Sequence, residues 1–137
     1  MEIIAISTQP PYDRALDSLA PSASRSFFCR RVAAETAVLF VTPVYDRSVR
    51  VVSKNAIDIG AHPYGGNVWV GTPGGIVCVA PEAIGGLGGD HHLRRSPRLL
   101  DVPVLRRPDG STASHPGSDG PSCPPGYCRM IEIRSSE

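Results

Sequence analysis

The chain has 137 residues, with fourteen basic and thirteen acidic side chains and a net charge of +1. That length bounds it to one compact domain, and the near-neutral balance leaves no whole-protein field for nucleic acid or an anionic membrane. Fourteen Gly and fourteen Pro are about a fifth of the residues, against roughly an eighth in an average chain, which leaves few long regular elements and excludes a coiled coil.

Residues 2–6 form a weakly alternating apolar run that ends in Ser7-Thr8-Gln9-Pro10-Pro11, a short strand leaving into a loop. From Ser24 to about Glu35, Phe28, Cys29, Val32 and Ala33 recur at three- and four-residue spacing and predict a helix, with Ser22 or Ser24 as N-cap. Ala37–Thr42 is a continuous apolar run of strand length, stopped by Pro43, and suits a central parallel strand. A second helix is expected from about Val49 to Ile59, with Gly60 placed to end it. Ile76–Ala80 repeats the buried-strand signature. A third helix around Asp90–Leu100 is interrupted by Pro97, and Val102–Leu105 can supply a last strand. Strand and helix in alternation predict an open α/β sheet with helices on both faces.

From Pro108 the character changes: fifteen of the last thirty residues are Pro, Gly or Ser, without periodicity. Residues 1–107 are therefore read as the domain and 108–137 as a disordered tail. Met130–Ile133 has strand composition, but nothing in the sequence demands that it pair.

Ile59–Pro81 is long enough to span a bilayer, yet holds six Gly and three Pro and is rejected as a membrane helix. The start lacks the pattern of a secretory leader. Cys29 and Cys78 sit in apolar segments, as reduced buried thiols do. Cys123 and Cys128 lack a second ligand pair, so no metal site is expected. A cytoplasmic compartment fits. His91 and His92 read as surface or interface residues. Arg94, Arg95, Arg98, Arg106 and Arg107 lack interleaved aromatics and read as a solvated face or subunit contact, not a nucleic-acid site.

In open α/β sheets ligands sit beyond the carboxyl ends of the strands. That points to the turns 42–48 and 80–86, whose backbone groups and aromatic ring suit a flat heteroaromatic ligand. The segment 37–58, AVLFVTPVYDRSVRVVSKNAID, closely resembles the flavin-loop segment of the flavodoxin-like NAD(P)H-dependent FMN reductase and quinone (chromate) reductase family, T-P-E-Y-N-x-S-x-P-G-x-L-K-N-A-I-D. Residues 81–93, PEAIGGLGGDHHL, resemble its second flavin loop, S-P-G-A-I-G-G. The opening 1–17 is similar to its second strand and following loop, and 100–105 to its last strand.

The resemblance implies a flavodoxin-like fold binding FMN, with NAD(P)H as co-substrate and a quinone, flavin or similar small molecule as electron acceptor. Pro43, Val44, Tyr45, Asp46 and Arg47 would border the ring, and Ala80, Pro81, Glu82, Ala83 and Ile84 would face it from the next loop. No side chain is expected to be catalytic. A homodimer or homotetramer is implied as well.

The family's first strand and its phosphate loop, near G-S-x-R-x-x-S, have no counterpart. In a sheet of order 2-1-3-4-5 that leaves residues 2–6 without a hydrogen-bonding neighbour. Asp46 stands for the family's Asn and Glu82 for a Gly, adding negative charge beside the ring. The alternative reading is therefore a truncated, non-catalytic remnant that acts through protein contacts.

Overall fold

The computed structural model describes residues 2–17, 19–80, 86–105, 109–112 and 130–134. In chain order the elements are β1 (Glu2–Ala5), a 3-10 turn (Arg14–Leu16), α1 (Ala23–Ala33), β2 (Ala37–Tyr45), β3 (Ser48–Val49) and α2 (Val51–Ala61). They are followed by β4 (Gly74–Ala80), α3 (Leu87–Leu99), β5 (Asp109–Thr112) and β6 (Met130–Arg134). The sheet runs β1-β6-β2-β4-β5 with all neighbours parallel, and β3 folds back antiparallel on the end of β2.

The expectation that residues 2–6 would lack a strand neighbour is corrected here. β1 pairs with β6 over its whole length, Glu2↔Ile131 to Ala5↔Arg134. The other edge of β6 pairs with β2, Ala37↔Met130 to Val41↔Arg134. Within the stretch 108–137, read as a disordered tail, 109–112 and 130–134 are thus strands, and the remainder lies outside the described residues. The sequence suits a strand here: in M-I-E-I-R the apolar Ile131 and Ile133 stand two residues apart, the strand period. The register sets Ile133 in a row with Ile4, Phe40 and Ile76, all three of which are buried.

Other boundaries moved for identifiable reasons. β2 continues through Pro43 to Tyr45. Among the described residues, pairing with β6 stops at Val41, and Pro43, which lacks a donor, pairs with Val79 of β4. α3 runs through Pro97, which lies in its last turn with its ring buried; its carbonyl accepts from the amides of Leu100 and Val102. The last strand lies at 109–112, where it pairs with β4, whereas in 102–105 only Val104 bridges Gly74. Ser22 caps α1, its Oγ accepting from the Arg25 amide.

All three helices pack on the face of the sheet that carries Val38, Phe40, Thr42, Ile76 and Cys78. Phe28 and Val32 of α1, Ala56 and Ile57 of α2 and Leu93 of α3 join those residues in one buried cluster. The expected helices on both faces are therefore met on one face among the described residues. On the other face Leu39, Val41, Val77 and Val79 are only half-buried.

Trp69 holds the layers together. It is fully buried, its Nε1 donates to the Ile57 carbonyl at 3.0 Å, and its ring meets Phe28 of α1 at 6.0 Å and Phe40 of β2 at 5.6 Å. Gly60 makes this possible. α2 does not end at that glycine as expected but passes through it to Ala61. A Cβ there would lie 2.5 Å from Trp69 Nε1.

The loop after β1 is fastened to the helices by Asn55 of α2. Its Oδ1 accepts from the Tyr12 amide at 2.7 Å, and its Nδ2 donates to the Pro10 carbonyl at 3.0 Å. Tyr12 stacks on His62 at 4.8 Å and donates its hydroxyl to Asp17 at 2.5 Å. Arg25 donates to the other Asp17 oxygen at 3.0 Å and to the His62 carbonyl at 2.6 Å. The Tyr12 hydrogen bond and the Arg25 guanidinium hold the Asp17 carboxyl below its ordinary 3.8, against the opposing effect of desolvation.

Gly60→Ala is expected to lower stability by about 1–3 kcal/mol, because the overlap with Trp69 outweighs the gain of up to ~1 kcal/mol in helix propensity. Urea denaturation with an unchanged or raised midpoint would count against this packing. Because Asp17 has a depressed folded pKa, its contribution is present above 3.8 and is lost as pH falls through the folded value. Tyr12→Phe should therefore destabilise the chain at pH 7, and that difference should shrink in denaturation series carried below pH 3.8.

Candidate functional site

Parallel β2 and β4 end side by side. Their register, Thr42↔Cys78 and Pro43↔Val79, brings Val44 and Tyr45 level with Ala80 and the start of the following loop. Of the ten residues singled out from the sequence, the structure thus gathers Pro43, Val44, Tyr45, Asp46, Arg47 and the backbone of Ala80 at one edge. Pro81, Glu82, Ala83 and Ile84 lie outside the described residues.

Beyond Tyr45 the chain makes a two-residue hairpin. Tyr45 pairs with Ser48 and Val44 with Val49, and Asp46 and Arg47 both have positive φ, 46° and 60°. Two consecutive left-handed residues are what the tight right-twisted hairpin needs, and Asn-Gly is the sequence that supplies them at least cost. Here Asp and Arg are held there, with both side chains exposed.

The hairpin is seated on α3 by a pair of glycines. A Cβ on Gly88 would lie 2.9 Å from the Arg47 carbonyl oxygen, and one on Gly89 2.9 Å from Val44 Cγ2. Ser48 Oγ and His92 Nδ1, 2.9 Å apart, tie the far side of the turn to the same helix. Gly86, which precedes α3, packs so closely on β4 that a Cβ would lie 2.1 Å from the Cys78 carbonyl oxygen. In sequence the run 85–89 is glycine-rich like a dinucleotide loop but fails the G-x-G-x-x-G spacing, since position 91 is His. In the structure, Gly86, Gly88 and Gly89 serve close approach of a helix to strand ends.

Behind this edge, Ser53 of α2 donates to Thr42 Oγ1 at 3.4 Å, and Thr42 donates to the Pro43 carbonyl at 3.0 Å. Asp90, 2% exposed, pairs with Arg94 at 2.7 Å. Arg94 also donates to the Leu105 carbonyl at 2.5 Å, so it serves to hold the segment after α3. Arg95 and Arg98 are exposed, and Arg106 and Arg107 lie outside the described residues. Burial, with the Asp90 charge adding to it, pushes the Cys78 thiol up to about 12, so Cys78 is a packing residue and not a nucleophile.

Asn55, Trp69 and the α3 glycines are the supporting residues that pattern reading missed. Asn55 left a signal in the K-N-A-I-D run and the glycines in their clustering just past a strand end, whereas Trp69 left none. Among the described residues, no group of three or more His, Cys, Asp or Glu is placed to hold a metal ion, and no helix is long and apolar enough to cross a membrane. Two clefts of about 220 and 210 Å³ lie beside the β1–α1 loop, away from the β2 and β4 ends, and share Leu19, Pro21 and Arg25.

The fit of a flavin to this edge divides in two. On the ring side, the structure offers two adjacent strand ends, an exposed two-residue hairpin and a helix start whose glycines pack on both. For the phosphate half, doubly wound folds use a helix N-terminus directly after the central strand. No described residue follows β6 at Arg134.

Arg47→Gly should stabilise the chain by about 1 kcal/mol through relief of left-handed strain. A lowered melting temperature would show that Arg47 makes contacts worth more than the strain.

The family model for NADPH-dependent FMN reductases matches residues 1–115. A quinone reductase of Pseudomonas putida is 41% identical over 109 residues, covering 80% of this chain and 59% of that protein. A 2-hydroxy-1,4-benzoquinone reductase of a Burkholderia species is 35% identical over 108 residues, 79% of this chain and 58% of its own. Among solved structures, FerB, a flavoenzyme NAD(P)H:(acceptor) oxidoreductase from Paracoccus denitrificans, superposes with a TM-score of 0.71 at 31% identity, over 77% of this chain and 57% of that one. The chain thus spans less than 60% of the length of these relatives. With the strand order, the paired loop ends and the K-N-A-I-D helix all in place, this chain belongs to the NADPH-dependent FMN reductase family.

Proposed function

We propose that this chain carries the ring-holding half of an NAD(P)H-dependent FMN reductase site. The observation that supports it is the Pro43↔Val79 register over a glycine-lined α3, which sets the ends of β2 and β4 side by side. Backbone groups of Pro43, Val44, Tyr45, Asp46 and Arg47 would border the isoalloxazine edge. Ala80, Pro81, Glu82, Ala83 and Ile84 would close over it from the neighbouring loop. FMN held there would supply the redox chemistry, hydride transfer between NAD(P)H and a quinone, free flavin or similar acceptor.

The chain's own contribution is position and field. No acid or base is assigned, because the proposed site needs none. Asp46 places a carboxylate at the tip of the hairpin, and its negative charge disfavours a reduced, anionic ring. Relatives named for quinone reduction support a quinone as acceptor. A homodimer or homotetramer in the cytoplasm belongs to the same reading. The competing reading, a remnant without flavin chemistry that acts through protein contacts, draws on the lack of any match to the family's G-S-x-R-x-x-S phosphate turn.

The test is to purify the chain, titrate it with FMN, record the visible spectrum and add NADPH anaerobically. A flavin band that co-elutes with protein and bleaches with NADPH is expected. Protein that stays colourless after FMN addition and gel filtration contradicts the proposal. In the loaded protein, Asp46→Asn should raise the flavin potential by on the order of 20 mV, the two-electron equivalent of a ~1 kcal/mol change in charge interaction.

A further inference from the structure

β6 stands apart from the other strands of this sheet. Its pairing with β1 joins residues some 130 positions apart in the chain (Glu2↔Ile131), whereas β2 and β4 join residues such as Val38 and Gly74. Loop-closure entropy grows with that separation and delays the longest pairing until the rest is in place. Among the described residues, β1 has no strand partner except β6. Taken without β6, β1 and β2 present facing rows of backbone N–H and C=O groups with one strand's width between them, about 9.5 Å from axis to axis. Such a gap is a demanding acceptor: both of its edges are unpaired, and each needs a parallel partner.

The gap also specifies what fills it. The row through Ile4, Phe40 and Ile76 and the row through Val38 and Gly74 run on through it. An occupant therefore needs apolar residues two apart, on the face covered by the helices. In M-I-E-I-R, Ile131 and Ile133 are apolar residues two apart, and the register pairs them with Val38 and Phe40.

We propose that the space between β1 and β2 is a strand-acceptor site, that residues 130–134 occupy it as a separable insert, and that the same segment of a second copy occupies it when the chain's own strand is withdrawn. Identical contacts form in both cases, which is the condition for strand exchange between copies at low cost. The proposal is independent of flavin binding and stands or falls with β6 alone.

The experiment uses the full chain carrying Ile131→Pro and Ile133→Pro, which deprives β6 of two ladder donors and of the two isoleucines paired with Val38 and Phe40. A fluorescein-labelled peptide of residues 128–137 is titrated into this variant and into the unaltered chain, with a scrambled peptide as control. The peptide should bind the variant at least tenfold more tightly than the unaltered chain, whose tethered strand competes at an effective concentration in the mM range. Equal binding to both chains, binding to neither, or equal binding of the scrambled peptide overturns the proposal. Should the variant fail to fold alone, the peptide present during refolding must restore its far-ultraviolet circular dichroism, and failure to do so overturns the proposal as well. In the unaltered chain, amides of 3–5 and 131–133 should be protected from hydrogen exchange, and amides of 131–133 exchanging at free-peptide rates would overturn it.

Discussion

A strand inside a parallel sheet has two edges to satisfy, and in this chain that demand concentrates on the gap between β1 and β2. β6 meets it with hydrogen bonds on both sides. The remainder of the architecture depends on that insertion. It gives β1 a partner, carries the buried rows across from Ile4 to Ile76, and restores the five-position order 2-1-3-4-5 of the flavodoxin-like sheet. A strand late in the sequence takes the central place that the family pattern assigns to its first strand. The same substitution bears on chemistry, since the ligand site of such a sheet opens beside that central strand.

The helix side of the molecule rests on a second close fit. Trp69 comes from the connection between α2 and β4, not from a helix or strand. It nevertheless reaches α1, α2 and β2 at once. Gly60 gives up a side chain in mid-helix to admit the ring, and Asn67 holds the loop in place by accepting from the Trp69 amide and donating to the Leu100 carbonyl. This tight face contrasts with the other side of the sheet, where Leu39, Val41, Val77 and Val79 are only half-buried. The candidate site sits where the tight face meets the carboxyl edge, and small residues again set the geometry: Gly86, Gly88 and Gly89 let α3 come within backbone contact of β4 and the 44–48 hairpin.

Much of this was legible in the residues. Apolar runs marked β2 and β4, three- and four-residue spacing marked α1 and α2, and the turns after β2 and β4 were singled out as the candidate site from strand ends alone. The K-N-A-I-D run also has a physical content in the structure. Lys54 and Asp58 pair along the exposed side of α2, Asn55 fastens the β1–α1 loop, and Ala56 and Ile57 enter the core. Other features carried no local signal. Gly60 has the look of a helix end, because nothing in the sequence says that an indole nine residues on will lie against it. Pro43 and Pro97 read as breakers, yet β2 continues through Pro43 and Pro97 lies in the last turn of α3. The strand role of 130–134 could not be seen because its partners, β1 and β2, are separated from it by most of the chain.

The central claim is that β6 lies between β1 and β2, and cross-strand nuclear Overhauser effects in a labelled sample of the full chain test it most directly. The account predicts interstrand amide and α-proton contacts from Ile133 to both Ile4 and Phe40. Contacts running directly between β1 and β2, with none from either strand to 131–133, would contradict it.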